Sequence, residues 1–394
     1  MGISNLTDLD ALFKREYNEG SDVLKGQQNL KAKMWGMVKT SPLKPSPQGI
    51  YNPVVMQGNE AGGAIVENEG FQDPDPLVPV QPSITSKLVV WPFQVTGSVI
   101  ALSETDKVAF ARGLDATQED NSGRMYSDVN RQWMGTGTGQ ITLANGAGAA
   151  TTALIVDDPL PFRIGMRIDL WTAIAGTKQV LGVVVNSINI ATSTLTLASA
   201  QTWSDDAIIC KKGVLDGVVS GGPYKEIMGW RGFCDTTTFS TTFQGVSAST
   251  YPQWRGNVVS AASGPVSQDL LQRTYNRGPI VGGETADTLF SNYGQARTYL
   301  NTQLSQTRYE PGEIKGGNLV LEWGALKWVV DHTAPIAEVG FMVKSGVEKF
   351  QVRDIHLSNL PGQTLYQIIG RDAVGGYYRY QGNIGGWKRN NQSR

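Results

Sequence analysis

The sequence SPLKPSPQGIYNPVVMQGNEAGGAIVENEGFQDPDPLVPVQP, residues 41–82, decides how this chain is organised. Together with the residues up to Pro92 it is rich in proline and glycine, and apolar residues alternate with polar ones. Proline cannot donate to a central sheet ladder, so this stretch is predicted to be an edge ribbon or a loop. A two-stranded ribbon is marginal alone in water, and structureless loops longer than about 15 residues are usually functional or disordered. We therefore expect this stretch to lie on a neighbouring subunit, which indicates a self-assembling structural protein.

The composition is compatible with extensive self-association. The chain has 394 residues, of which 40% are apolar and 18% charged, and it contains 46 glycines and 10 tryptophans. The usual charged share is about 25%. A low charge with many glycines and aromatics fits a protein that hides surface against copies of itself, although it also fits a β-rich adhesin.

Charge, hydropathy and cysteine content exclude several classes. The formal net charge of −1 argues against a dedicated nucleic-acid binder. No run of 18 apolar residues predicts a membrane span, and the first twenty residues lack the apolar core of a signal peptide. The two cysteines, Cys210 and Cys234, form no disulfide framework, so synthesis in a reducing intracellular compartment is expected.

The N-terminal third is predicted to contain an arm, a strand and two helices. Residues 1–35 form a polar arm in which Leu6, Leu9, Leu12 and Phe13 recur at helical spacing. Residues 87–101 are predicted to form a strand with a proline at an edge or bulge. A capping box at 103–106 predicts a short helix that ends near residue 113. A longer helix, the longest of the fold, is predicted over 114–134, and Gly135 stops it.

The remainder alternates β-rich and helical segments. Five short strands over 140–212 predict a small barrel or sandwich inserted into the chain: 151–156, 165–172, 178–190, 194–199 and 207–212. A loop-rich stretch to residue 257 precedes two predicted helices, 266–277 and 285–303. Further strands are predicted at 318–323, 326–331, 339–343, 348–352, 364–370 and 376–387, before a polar, basic tail at 388–394. Helices and antiparallel strands mix without a βαβ rhythm, so the fold class is α+β.

No constellation of residues predicts catalysis, a metal site or a cofactor. The glycine-rich run 135–139 follows a helix and precedes strands, the wrong order for a dinucleotide fingerprint, and is interpreted as a helix cap with a flexible linker. His332 and His356 have no metal-ligand spacing, and Asp331–His332 closes a strand before a turn. The acidic pairs at 157–158 and 205–206 are interpreted as solvated turns, and the tryptophans and tyrosines as packing residues rather than a sugar platform.

An ordered series of motifs resembles one known family. The run Asn130–Arg131–Gln132–Trp133, followed by GTGTG at 135–139, resembles the end of the spine helix in tailed-bacteriophage major capsid proteins. Further similarities follow in order, at EIMGW (226–230), QGV (244–246), YPQWRG (251–256), WVVD (328–331) through Pro335, and from Arg371 through Tyr380 to Asn390. The resemblance covers nearly the whole chain, although each motif alone is weak.

The resemblance implies the Hong Kong 97-type capsid fold with a small all-β inserted domain. On that basis the expected domains are an N-terminal arm (1–40), an extended loop (41–92), a peripheral domain with the spine helix (93–139), an inserted β-barrel-like domain (140–212), a peripheral/axial connection (213–260), an axial domain (261–360) and C-terminal strands (361–394).

The implied function is a non-enzymatic major capsid protein of an icosahedral head that encloses double-stranded DNA. The resemblance implies hexamers and pentamers of the chain, separate scaffolding and decoration proteins, a portal, non-specific contact with packaged DNA, no membrane, and assembly in the host cytoplasm. A tail-tube or decoration subunit, or a β-rich carbohydrate-binding protein, is the alternative. The residues expected at contacts between subunits are Leu9, Leu12, Phe13, Ile50, Tyr51, Val54, Ile65, Phe71, Leu77 and Val80.

Overall fold

The computed structural model describes residues 32–67, 69–98, 107–219, 222–239, 241–304, 322–359, 362 and 364–394. The fold is mixed α+β, as predicted. The predicted helical arm before residue 32 and the capping box at 103–106 lie outside the described residues, as does most of the strand predicted at 318–323.

A central sheet of five strands organises the described chain. Its longest strand, Ala373–Gly385, pairs antiparallel with both Lys87–Thr96 and Glu348–Leu357. The short strands Tyr366–Gln367 and Lys39–Thr40 complete it. Lys87–Thr96 has no second neighbour among the described strands, so Pro92 lies on an edge, as predicted. Residues 87–92 therefore belong to this sheet rather than to the ribbon, which corrects the boundary expected from sequence.

Residues 140–211 form one six-stranded antiparallel sheet, one strand more than predicted. A bridge between Ala144 and Val156 also brings its two outermost strands together, as in a barrel. Its interior is apolar and holds side chains such as Leu154, Leu170 and Val185. In spatial order the strands are Gln140–Leu143, Ile208–Lys211, Arg167–Trp171, Lys178–Asn189, Thr194–Trp203 and Gly148–Ile155.

A four-stranded sheet lies further along the chain and packs with two helices. Its strands, in spatial order, are Glu322–Trp323, Leu326–Val330, Thr288–Ser291 and Val339–Met342. The helices are Gln268–Gly282 and Tyr293–Leu304. The single helix predicted over 285–303 is therefore wrong at its start, because residues 288–291 are a strand with every residue buried. A fully buried strand lacks the alternation that distinguishes it from a helix in sequence. The strand Glu348–Leu357 lies in the central sheet.

One continuous helix, Lys107–Met134, is the longest among the described residues. The predicted break near Gly113 is wrong, because one glycine inside a helix costs only about 1 kcal/mol relative to alanine. Its C-terminal half buries Met125, Val129 and Trp133 at the predicted spacing. Trp133 meets Trp230 edge to face with ring centroids 6.1 Å apart. The short helices are Lys33–Met37 and Trp230–Cys234, and the 3₁₀ turns are Pro252–Trp254, Lys344–Gly346 and Arg389–Asn391.

The glycine-rich run after this helix is packed rather than flexible. Gly137 and Gly139 have φ of +79° and +97°, a region that L side chains rarely adopt. A β-carbon on Gly137 would meet the backbone of Met228 at 3.1 Å. The sequence interpretation as a helix cap is confirmed, since the helix ends at Met134, but the flexible linker is corrected.

The C-terminal tail is buried, although its sequence is polar. Arg389, Asn391, Gln392 and Ser393 are each at most 1% exposed. The backbone N–H of Asn257 donates to Gln392 O at 3.3 Å, and that of Phe341 donates to Ser393 O at 2.9 Å. The tail therefore joins the loop-rich segment to the four-stranded sheet.

Candidate assembly interface

The ribbon leaves the body of the molecule on two short hairpin ladders. Ile50–Tyr51 pairs with Ser83–Ile84, and Val54–Gln57 pairs with Val78–Val80. Beyond them, nearly every described residue of 58–77 is exposed and no regular ladder forms. We call residues 58–77 the ribbon tip.

The base of the ribbon is fastened to its own chain. Ile50 and Ile84 pack on Phe350, the Ser83 N–H donates to Gln244 O at 2.7 Å, and Gln253 Nε2 donates to Met56 O at 2.6 Å. These contacts fix the direction in which the ribbon tip leaves the body.

Within the part of the chain that the structure describes, the ribbon tip has internal polar hydrogen bonds but belongs to no apolar cluster. Asn59 Oδ1 accepts hydrogen bonds from the N–H groups of Ala61 and Asp75, each at 3.0 Å, which ties the two legs together. Glu69 Oε2 accepts from the Val66 N–H at 2.9 Å. Meanwhile the Phe71 side chain is 90% exposed. Large apolar side chains in this position are typical of surfaces that another molecule covers.

The residues expected at subunit contacts fall into four groups. Tyr51, Ile65, Phe71 and Leu77 are exposed, with Val55 and Val66 exposed beside them. Val54 and Val80 oppose each other in the ladder and face the main core, half-buried. Ile50 is 7% exposed and offers a neighbour almost no surface, because it packs against Phe350, so it is removed from the set. Leu9, Leu12 and Phe13 lie outside the described residues.

The Asn130–Trp133 motif joins the long helix to three other segments. Asn130 Oδ1 accepts from the Trp35 N–H at 2.8 Å, and its Nδ2 donates to Thr333 Oγ1 at 2.8 Å. Gln132 Oε1 accepts from the Ile227 N–H at 3.3 Å. The side-chain amides of Asn130 and Gln132 therefore both have structural partners in the body of the molecule.

A buried cluster of charges connects the same helix to the six-stranded sheet. The Asp128 carboxylate lies 3.1 Å from Arg131 Nε, 3.1 Å from Lys211 Nζ and 3.7 Å from Arg163. Arg131 Nη2 also lies 2.6 Å from Glu226 Oε1. Burial alone raises the pKa of the Asp128 carboxyl, but Lys211, Arg131 and Arg163 outweigh it and hold that pKa well below its usual range.

Asp128→Asn is expected to lower the free energy of unfolding by about 3–5 kcal/mol at pH 7, because it leaves one buried and two half-buried cations without their shared carboxylate. Asp128 has a depressed pKa in the folded state, so its contribution is present above about pH 4 and is lost as the pH falls further. Urea unfolding measures the loss. The matched control is Asp120→Asn, which removes only an exposed pair with Arg124 and should cost about 0.5 kcal/mol. Equal losses in the two variants would contradict the assignment.

Asp158 has the opposite electrostatic character. Its Oδ1 accepts from the Leu160 N–H at 2.9 Å, and burial raises the pKa of its carboxyl to about 6. The folded state therefore binds the proton more tightly than the unfolded chain. The resulting stabilisation is complete below about pH 4 and is lost as the pH rises through 6.

Asp158→Asn is expected to raise the free energy of unfolding at pH 8 by about 1–3 kcal/mol, because the amide keeps the acceptor oxygen and removes the buried charge. The gain should disappear at pH 4. Asp157→Asn, at the exposed neighbouring position, is the control and should change stability by less than about 0.5 kcal/mol at both pH values. Thermal unfolding at the two pH values measures both; a gain that is independent of pH would contradict the prediction.

Other candidate chemistry has structural explanations. The Asp331 carboxylate is 1% exposed and accepts from the N–H and Oγ1 of Thr333, each at 2.8 Å, so it orders its own turn. Its Oδ1 also lies 3.5 Å from His332 Nδ1. Within the described ranges no three His, Cys, Asp or Glu side chains are grouped to hold a metal ion. Nor does that part of the chain contain a helix long and apolar enough to span a membrane.

The comparison with known proteins rests on structure. No family model and no curated protein matches the chain. The chain is similar to the capsid asymmetric unit of Cyanophage A-1(L), with 10% identity, a TM-score of 0.57, and coverage of 95% of this chain and 94% of that one. It is also similar to the capsid of a native GTA particle, with 6% identity, a TM-score of 0.50, and coverage of 100% and 98%. At such identities the likeness shows a shared fold, and this chain has the fold of those capsid chains over almost its full length.

Proposed function

We propose that this chain is the major capsid protein of a tailed phage, and that it self-assembles into an icosahedral head that encloses double-stranded DNA. The observation that carries the proposal is the ribbon tip, which projects from a fastened base and exposes side chains such as Phe71 and Val66. The shared fold with a cyanophage capsid chain over 95% of the sequence supports it independently.

In this proposal the fold is of the Hong Kong 97 type. The N-terminal arm is 1–40, the ribbon is the extended loop, the helix Lys107–Met134 is the spine, the four-stranded sheet belongs to the axial domain, and 140–212 is the inserted domain. The role is structural: the arm, the ribbon and the axial domain contact different neighbours in hexamers and pentamers. Many moderate contacts per subunit make the closed shell stable collectively. Contact with packaged DNA is electrostatic and independent of sequence. Separate scaffolding and decoration proteins and a portal complete the particle.

Negative-stain electron microscopy of the expressed chain, with its scaffolding partner where one is needed, tests the proposal. Closed shells of uniform diameter are expected. Tubes or rings would favour the tail-tube alternative, and a chain that stays monomeric at every concentration and salt tested would overturn the proposal.

A further inference from the structure

The ribbon is uniformly acidic. Between residues 45 and 86 the sequence contains no lysine or arginine. Every charged residue in this stretch is acidic and lies in the ribbon tip: Glu60, Glu67, Glu69, Asp73 and Asp75. An arm that combines one sign of charge with exposed apolar side chains is complementary to a surface that is basic and apolar.

The described residues contain a cleft with this complementary character. Its volume is about 630 Å³, within the range of about 300–1,000 Å³ typical of binding pockets. It lies between the edge strand Lys87–Thr96, the long helix and the six-stranded sheet. One wall is apolar and includes Trp91, Pro92 and Ile164. The cations that line it are Arg124, Arg163, Arg167, Lys211 and Lys212. We call it the basic cleft.

The basic cleft carries more positive charge than its neighbours neutralise. Asp120 pairs with Arg124 at 2.6 Å, and Asp128 is shared by Arg163, Lys211 and Arg131. Within the described residues neither Arg167 nor Lys212 forms an ion pair, and both are exposed.

The crowding and burial act on the pKa values of the two half-buried cations, Lys211 and Arg163. Burial lowers the pKa of Lys211, and the positive charges of Arg131 and Arg163 lower it further against the pull of Asp128. Burial also lowers the pKa of Arg163. The Lys211 ammonium lies 3.8 Å from the Trp91 ring centroid, which positions it at the apolar wall. An incoming carboxylate would therefore stabilise the charged forms of Lys211 and Arg163.

We infer that the basic cleft receives the acidic ribbon tip of a neighbouring copy of this chain. The inference rests on the proposed function and names the receptor for its ribbon. Among the described residues, no hydrogen bond or ion pair links the ribbon tip to the basic cleft of its own chain, so both surfaces are available to another copy. The apolar wall receives exposed side chains of the tip, while Arg167 and Lys212 meet its carboxylates.

Charge reversal tests the pairing. A tip variant (Glu67→Lys with Asp73→Lys) and a cleft variant (Arg167→Glu with Lys212→Glu) change side chains that are exposed. Each alone is expected to raise the protein concentration needed for assembly at least about tenfold at low salt. A chain that carries all four changes should assemble within about threefold of the wild type. The charge-conserving controls are Arg167→Lys with Lys212→Arg, which should assemble like the wild type.

The outcomes separate this inference from the proposed function. If the wild type forms shells and the cleft variant assembles equally well, the inference fails and the proposed function stands. If the four changes together assemble no better than either pair, the inference also fails. If the cleft variant forms normal shells that contain less nucleic acid, the cleft serves packaged DNA and the inference is overturned. A wild type that forms no shells overturns the proposed function itself.

A cross-link locates the contact directly. Chains carrying Asp73→Cys are mixed with chains carrying Arg167→Cys, assembled and oxidised. The native Cys210 and Cys234 are fully buried, and burial raises the pKa of both thiols, so they are poor competitors. A disulfide-linked dimer between the two variants is expected. Lys327→Cys, exposed on the four-stranded sheet, replaces Arg167→Cys in the control and should give none; equal yields would contradict the inference.

Discussion

Arg389→Ala is expected to lower the free energy of unfolding by about 5 kcal/mol or more, which is most of the stability of an ordinary domain. The Arg389 side chain is fully buried, and its guanidinium carbon lies over the Phe243 ring, 4.2 Å from the ring centroid. It donates to five backbone carbonyls: Gly232 at 3.4 Å, Phe233 at 2.8 Å, Asp235 at 2.7 Å, Phe239 at 3.1 Å and Trp254 at 3.2 Å. Alanine removes the guanidinium donor from all five oxygens; Gly232 O still accepts from the Asp235 N–H, and each oxygen left without a donor costs about 1–3 kcal/mol where water does not replace it.

Two further variants keep this prediction testable if Arg389→Ala is insoluble. Arg389→Lys retains a charge and three donors but not the planar fork, so an intermediate loss of about 2–4 kcal/mol is expected. Lys388→Ala removes an exposed ion pair with Glu284 and should cost less than about 1 kcal/mol. Urea unfolding followed by circular dichroism measures all three. A loss at Arg389 no larger than that at Lys388 would contradict the role of the tail.

Removal of the ribbon tip is expected to abolish assembly and to leave the fold intact. Gln57 and Val78 are partners across the ladder, so a two-residue Asn-Gly turn can replace residues 58–77 and close a hairpin. Because the tip packs in no apolar cluster of the described residues, the midpoint of thermal unfolding should change by only a few degrees. Shells should be absent at about ten times the concentration at which the wild type assembles.

The matched control for this deletion keeps the length of the ribbon. A chain with Ala61→Ser, a partly exposed position in the same tip, should assemble like the wild type. Electron microscopy and size-exclusion chromatography with light scattering measure both variants. Shells of wild-type diameter from the shortened chain would contradict the role of the ribbon.

Local chemistry explains which parts of the fold the sequence predicts. Prolines on both legs and alternating apolar residues predicted the ribbon, and in the structure Val54 and Met56 alternate with exposed Val55 and Gln57. The strands of residues 140–212 were also predicted from local sequence, since short β-branched runs between turns have few other interpretations.

Sequence fails to predict the structure where tertiary contacts override the local sequence pattern. The strand Thr288–Ser291 is buried on both faces, so nothing in its periodicity separates it from a helix. Arg389 lies in a tail whose composition is typical of solvated termini, and only the carbonyls gathered around it explain its burial. The helix Lys107–Met134 continues through a glycine. A single glycine costs a helix little free energy, so it is a weak indication of a helix end.

The candidate interface was predictable on one side only. The ribbon is contiguous, so its exposed apolar side chains were found from sequence, and its uniform acidity is visible in the same stretch. The cations of the basic cleft come from residues 124, 163, 167, 211 and 212, which the fold gathers from a helix, a turn and strands. No spacing rule connects residues so far apart in sequence.

Hydrogen–deuterium exchange of the ribbon tip, compared between assembled shells and unassembled chain, tests most directly whether neighbouring copies cover it. The described residues of 58–77 are almost all exposed in the isolated chain. Apart from the hydrogen-bonded N–H groups of Ala61, Val66, Glu69 and Asp75, their amides should exchange within seconds before assembly. After assembly, exchange of this segment should slow at least about a hundredfold, while buried amides of the six-stranded sheet should change little. Equally fast exchange of 58–77 in both states would show that no neighbour covers the ribbon, and would contradict the account.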